Sequence, residues 1–484
     1  MIMLQGIDFN HNQPQSLGVR HMTERIIEFA TILEVGALIR SNEFSAVALT
    51  TLMLDRIERL ENRLNAFITV TADLALEQAQ LADSELANGH DRGPLHGIPI
   101  VIKDLIATQG ILTTAGSKYY ASWIPKSDAA VVTRLSAAGA VILGKTSLHE
   151  MAFGSTSINP YYGAVSNPWR LDHHPGGSSG GSAVAVAAGM AYAGIGTDTG
   201  CSVRQPAQCC GIVGHKPTFG LVSTAGVLPL VESMDHVGPL ARTVREVALV
   251  LRAIQDPDSN DPHSINRIAD DYFTQMNKSL DGAVVGVPRR FFFTGGDPEV
   301  VDLVDQALET FKELGARVVD MDLPDVERAL DEVDVTFSEI AHAHGEALAD
   351  DPEAFSDAFR QRYASVTKWS DSDYEAAQTF RREFIAKVEA VMDDCDVLAM
   401  PTSTVAAALI SAQPHDHVVQ RRKNACIFNF TGQPAISIPC GFNAAGLPVG
   451  MMLVGGMFED AKVFRFARAF EAATPWHRQH PQIT

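Results

Sequence analysis

The chain has 484 residues, 46% of them apolar, with 38 basic against 58 acidic side chains and a formal net charge of −20. The acidic balance is spread along the chain without a basic cluster, which excludes direct binding to a nucleic-acid backbone, where Lys and Arg must neutralise phosphates. Six cysteines (Cys201, Cys209, Cys210, Cys395, Cys426 and Cys440) follow no zinc or redox spacing. They read as the reduced thiols of a cytoplasmic protein, with no metal or organic cofactor implied.

The length exceeds the usual size of one core and by itself suggests two or three domains. The N-terminal MIMLQGIDFNHNQPQSLG lacks a basic segment followed by an apolar stretch, so no secretory signal is expected. Residues 23–89 alternate apolar and polar at helical spacing and predict two or three helices, an N-terminal extension over 1–89. An α/β domain over 90–484 follows. From 98 to about 254, IPIVIKD, DAAVVTRLSAAG and VILGKTS alternate strand with helix, as in a largely parallel sheet. The small apolar run from Ala183 to Gly196 is too short to cross a bilayer, and no membrane association is expected. A catalytic half at 90–254 ends in the polar connector QDPDSNDPHS, within a linker of 255–283. The second half, 284–484, opens with the strand VVGVPR, continues with helices near 299–314, 325–349 and 372–392, and returns to the same sheet through DVLAMPTS and AISIPCG.

Three blocks carry chemistry: GIPIVIKD ending at Lys103 and Asp104, GGSSGGSA at 176–183, and TDTGCSVRQPA at 197–207. They place one lysine and two serines where a lysine-driven serine hydrolase needs them. Lys103 closes a run that reads as a strand buried on both faces, at the carboxyl end where open α/β sheets bind ligands. A GGSSGG string alone suggests a flexible linker. Here NPWR precedes it and the small-residue helix SAVAVAAGM follows, whose N-terminus adds positive potential.

With HEMAFGSTSIN and NPWRLDHHP in the same order and spacing, these blocks resemble the amidase signature family, from about Phe44 to GQPAISIPCG. The resemblance implies a large mixed sheet covered by helices and hydrolysis of carboxamides by a Ser, cis-Ser, Lys triad. It makes Ser202 the nucleophile, Ser178 the bridging serine after a cis peptide bond, and Lys103 the base. Gly177 and Ser179 would support the bridge, and Asp198 and Arg204 would pair beneath the nucleophile loop. The backbone N–H groups of Thr199, Gly200, Cys201 and Ser202 would form the oxyanion hole.

The chemistry is consistent with these roles. A serine hydroxyl needs a base, and lysine serves only when neutral, whereas a free amine at about 10.4 is protonated. Burial lowers that value by up to roughly 3–5 units. Ser178, with one donor and two lone pairs, can pass the proton between Ser202 and Lys103, and the return trip protonates the leaving nitrogen. Cys201 stands where most relatives have glycine, and it reads as a small hydrophobe filling a gap or, more sharply, as a thiol beside the leaving group.

The substrate is less legible. The glutaminase component of tRNA-dependent amidotransferases carries an acidic residue where this chain has Arg422, between Arg421 and Lys423. The arginine expected for glutamine's carboxylate is absent from FSEIAHAHGEAL at 337–348. The expected substrate is therefore a small aryl or alkyl amide, with anilides, carbamates and esters within the same chemistry. Phe153, Ile158, Tyr161 and Phe430 are candidate pocket walls. The glutaminase component of such an amidotransferase is the alternative. A second alternative is an esterase elbow at Ser178 with Asp416 and His415 or His417 downstream. Lys145 and Lys216 read as structural or solvated, and His173 and His174 as loop surface near the site. The expected partner is a small-molecule amide, with a homodimer as the expected assembly if the chain self-associates.

Overall fold

A computed structural model describes residues 27–267, 270–412 and 418–483. The strands are β1 (Phe67–Val70), β2 (Pro99–Lys103), β3 (Val141–Thr146), β4 (Ile158–Asn159), β5 (Gly163–Ala164), β6 (Ala193–Asp198), β7 (Val213–Lys216) and β8 (His236–Ala241). After them come β9 (Val284–Val287), β10 (Arg317–Asp320), β11 (Val397–Pro401), β12 (Ala435–Phe442) and β13 (Pro448–Val454). Eleven form one sheet in the order β1-β3-β2-β6-β8-β7-β12-β13-β11-β9-β10, and β4 and β5 pair as a small ribbon. Both halves of the chain thus contribute to one mixed sheet.

Successive residues of a strand face opposite sides, so a strand buried at every position has both faces covered. That is the case for β2, β3, β6, β7, β8, β11 and β13, while β1 and β10 at the two edges are partly exposed. The expectation of a largely parallel sheet over 98–254 is corrected. β3, β2 and β6 run parallel, but β8 is antiparallel to both β6 and β7. An apolar run records burial, not direction, so the reversal is invisible in composition.

The N-terminal region has the expected helices, Ile32–Arg40, Ala46–Leu64 and Ala72–Ala87. The second starts at Ser45, whose side chain accepts the Ala48 N–H, buries Leu49, Met53, Ile57, Leu60 and Leu64, and ends at Asn65 in the left-handed region. This region is not purely helical, because β1 pairs antiparallel with β3 and extends the sheet. Four residues, FITV, are too few to break a helical period visibly.

In the second half, the long helix expected at 325–349 is interrupted. Helices Val326–Thr336 and Ile340–Asp350 flank a 3₁₀ turn at Phe337–Glu339. The 255–283 linker is also anchored to the core. Its Tyr272 is buried, and Asp258 and Asp261 accept hydrogen bonds from Ser223 and Thr224.

The tight spacing of β7 and β8 yields a test. A Cβ on Gly238 would lie 2.2 Å from the backbone oxygen of His215, which a strand in mid-sheet cannot vacate. Gly238→Ala is expected to destabilise the protein by about 1–3 kcal/mol in urea unfolding.

Candidate active site

β2 and β6 are parallel neighbours, with Ile100 opposite Ala193 and Ile102 opposite Ile195. Their carboxyl ends therefore emerge together, which places Lys103 beside Thr197 and the loop that follows β6. Lys103 is 0% exposed. Its Nζ donates to Ser178 Oγ at 2.7 Å and to Thr197 Oγ1 at 2.8 Å. Burial pushes its amine down to about 7, although the Asp198 and Asp235 carboxylates oppose the change.

Ser178 follows a cis peptide bond from Gly177. Its carbonyl accepts from the His149 N–H and the Ser157 hydroxyl, each at 3.2 Å. The Gly177 N–H donates to Gln205 Oε1 at 2.8 Å, and a Cβ at Gly177 would meet Thr156 N at 2.6 Å. Ser179 ties the bridge to β6, with its Oγ 3.2 Å from Thr197 O, and it donates its N–H to the Ser202 carbonyl at 3.3 Å. Small residues then let the Gly180–Ala187 helix settle against the sheet, every residue buried.

The loop that carries Ser202 is clamped from below. Asp198 and Arg204 form a fully buried two-pronged ion pair, Oδ1 to Nη2 at 2.9 Å and Oδ2 to Nε at 3.0 Å. Burial alone would raise the Asp198 carboxyl. The Arg204 guanidinium, the Val203 N–H and Asn429 outweigh it and hold the group below the usual carboxylate range. Asn429, which the sequence motifs do not single out, completes the clamp: its Nδ2 donates to Asp198 O at 2.7 Å, and its Oδ1 accepts from Arg204 Nη2 at 2.6 Å. One asparagine in the helix Val418–Thr431 carries no motif, so only the fold reveals it.

Above the clamp, Thr199, Gly200, Cys201 and Ser202 floor a cleft of about 360 Å³. Among the described residues, no hydrogen bond occupies the backbone N–H groups of these four. Nor does one join Ser202 Oγ to Ser178 Oγ, and Ser202, 7% exposed, is reached from the cleft. The Cys201 thiol is buried 3.9 Å from Gly177 O, and burial pushes it up to about 12, so it is a filler and not a thiolate.

The cleft walls carry Phe153, Phe337 and Trp369 with Asp334, Arg362, Lys368 and Arg422. Ile158 lines an adjoining cavity of about 260 Å³ that shares Phe153, Ser155 and Arg362 with the cleft. The two other expected wall residues stand elsewhere. Tyr161 lies at the surface, and Phe430 is buried beneath the Arg381 guanidinium, 5.2 Å from its ring centre. Arg422 pairs with Asp334 at 2.6 Å. The stretch 337–348 has no arginine, but Arg362, in the helix Asp357–Val366, lines the cleft along with Lys368 and Arg422. Arg362 donates to the Phe153 carbonyl and lies over the Phe153 ring at 5.3 Å. Burial first, then Arg422 and Arg421, lower its guanidinium to about 10.

Lys145 and Lys216 are structural: both are fully buried on carbonyl or hydroxyl oxygens. His174 is buried beside the adjoining cavity and accepts the Gly176 N–H, and His173 pairs with Asp172. Asp416, His415 and His417 lie outside the described residues.

The amidase family model matches residues 48–464. The chain belongs to that family, whose members hydrolyse amide C–N bonds. The A subunit of the glutamyl-tRNA(Gln) amidotransferase of Cyanothece sp. is 38% identical, over 94% of this chain and 100% of that protein. A solved chain from a vestigial protein complex that bears on the origins of an s-triazine catabolic enzyme is 32% identical. It superposes with a TM-score of 0.87 over 92% of this chain and 98% of its own. A peptide amidase bound to the competitive inhibitor chymostatin is 31% identical, with a TM-score of 0.85 over 94% and 99%. Among the described residues no helix is long and apolar enough to cross a membrane.

The desolvated amine has a measurable cost. Its folded value lies below the unfolded 10.5, so the penalty is full below about 7 and fades as pH rises toward 10.5. Lys103→Met is expected to be more stable than the wild type at pH 7, by about 1–4 kcal/mol. In urea unfolding the margin should narrow steadily toward pH 10.

Proposed function

We propose that the chain is a self-contained amidohydrolase that acts through an acyl-enzyme on Ser202. The observation that carries this reading is the buried Lys103 amine on the Ser178 hydroxyl, beside a cleft-lining loop whose backbone N–H groups carry no hydrogen bond among the described residues. Ser202 Oγ attacks the substrate carbonyl while its proton passes through Ser178 Oγ to Lys103 Nζ. The link between the two hydroxyls closes on substrate binding, as catalytic hydrogen bonds often do. The N–H groups of Thr199 to Ser202 take the developing oxyanion, where each such donor is worth about 2.7–4 kcal/mol of barrier. Collapse breaks the C–N bond, and the relay returns the proton to the leaving nitrogen. Water then repeats the sequence on the ester. No cofactor enters these steps, and six buried free thiols support a reducing, cytoplasmic setting.

The substrate we infer is an amide whose acyl part bears an anionic group. Phe153 and Phe337, stacked at 5.9 Å, give an apolar wall for an alkyl or aryl chain. Arg362 has no carboxylate partner among the described residues, whereas Arg422 is neutralised by Asp334. The alternative, a glutaminase that works only with partner chains, is favoured by the identity to the amidotransferase protein along nearly the whole chain. Asp334 could meet glutamine's ammonium only by giving up Arg422.

Steady-state kinetics of the purified chain separate the readings. The monoamide of glutaric acid is expected to turn over with a lower KM than butyramide and faster than L-glutamine, at a rate that rises with pH through about 7 as Lys103 loses its proton. Arg362→Ala should raise KM for the anionic amide about ten- to hundredfold and leave butyramide nearly unaffected. Lys103→Ala should abolish both activities. Turnover of glutamine alone, and only with added partners, would favour the partner-dependent reading.

A further inference from the structure

Asp235 is a half-buried carboxylate outside the proposed triad, immediately before β8. Its Oδ1 accepts the Thr199 hydroxyl at 2.5 Å, and its Oδ2 accepts the N–H groups of Leu230 and Val231 at 2.7 and 3.1 Å. Thr199 is the first residue of the loop that floors the cleft, so a carboxylate anchored on two backbone amides grips the loop at its root. The anchor is itself braced. Ser233 Oγ donates to Glu339 at 2.6 Å, Tyr374 donates to the same carboxylate at 2.8 Å, and Arg381 Nη2 donates to Ser233 O at 2.7 Å. Glu339 sits in the 3₁₀ turn whose Phe337 lines the cleft.

We propose that Asp235 is a positioning residue, which fixes the backbone N–H groups of the cleft floor through the Thr199 hydroxyl. The inference rests on the reading of Ser202 and Lys103 above and adds a residue to it. A carboxylate with two amide donors is far stiffer than a hydroxyl facing solvent, and small displacements at a reacting centre cost large factors in rate. The charge has a second consequence, because the Asp235 carboxylate favours the protonated form of Lys103. The titratable groups that face Asp235 are Lys103 on β2, His236 on β8 and Glu339. Around a cavity of about 250 Å³ on its outer side stand Glu232, Asp261 and His263. Burial raises the Asp235 carboxyl to about 6, with Glu339 adding to it and the three hydrogen bonds opposing, so it is charged over the range in which Lys103 becomes a base.

The test is the rate at which an alkyl fluorophosphonate modifies Ser202, followed from pH 5.5 to 9.5. In that step the serine oxygen bonds to phosphorus, the P–F bond breaks, fluoride leaves and the proton passes to Lys103. Asp235→Asn should slow the plateau rate about tenfold or more and move the midpoint down by about half a pH unit. Thr199→Val should slow it comparably, Thr199→Ser should recover most of that loss, and the double variant Asp235→Asn with Thr199→Val should be no slower than the slower single. Losses that multiply in the double variant, or a midpoint unmoved in Asp235→Asn, would overturn the proposal. If Asp235→Asn does not fold by circular dichroism, the Thr199 pair decides, and equal losses in the Val and Ser variants overturn it. Wild-type protein that fails to react at Ser202 would bring down the triad reading itself, and this inference with it.

Discussion

Everything at the cleft depends on keeping one lysine amine dry. Lys103 ends a strand buried on both faces, and its two hydrogen-bond partners are hydroxyls, which accept a proton donor without demanding a charge. A carboxylate at the same distance would have restored the amine's proton. Asp198 does favour the proton on Lys103, but burial outweighs it, and the Asp198 charge is paired with Arg204. The ion pair beneath the loop therefore has two effects. It holds the loop, and the guanidinium offsets part of the Asp198 charge.

That arrangement explains why the two halves of the chain share one sheet. Lys103, Ser178 and the 197–204 loop all come from the first half. The clamp is completed by Asn429 and the Ala425 carbonyl, both on the Val418–Thr431 helix of the second half. The cleft walls repeat the pattern, with Phe153 from the first half facing Phe337, Arg362 and Arg422 from the second. The residues of the proposed relay lie in one half, and the second half supplies the charged walls of the cleft.

The sequence revealed what local pattern can encode. The lysine at the end of an apolar run, the two glycine-rich serine blocks and the Asp198 to Arg204 spacing were all legible, and in the structure Lys103 lies on Ser178 and Asp198 pairs with Arg204. What it hid falls into two kinds. Strand direction and the break at Phe337–Glu339 were invisible because apolar runs and helical periods continue unchanged through both. Asn429, Asp235 and Arg362 were missed because each is a single polar residue that gains meaning from neighbours far along the chain. The pocket walls divide for the same reason: Phe153 and Phe430 are equally aromatic, and only the fold turns one to the cleft and buries the other under Arg381.

Which serine becomes covalent, and whether the lysine drives it, decides the mechanism. Peptide mass spectrometry after fluorophosphonate treatment reads this directly, in wild-type protein and in Lys103→Ala. A lysine-driven relay predicts one adduct, on the peptide carrying Ser202, that is lost when Lys103 is replaced. An adduct on Ser178, or one on Ser202 that persists undiminished without the lysine, would contradict it.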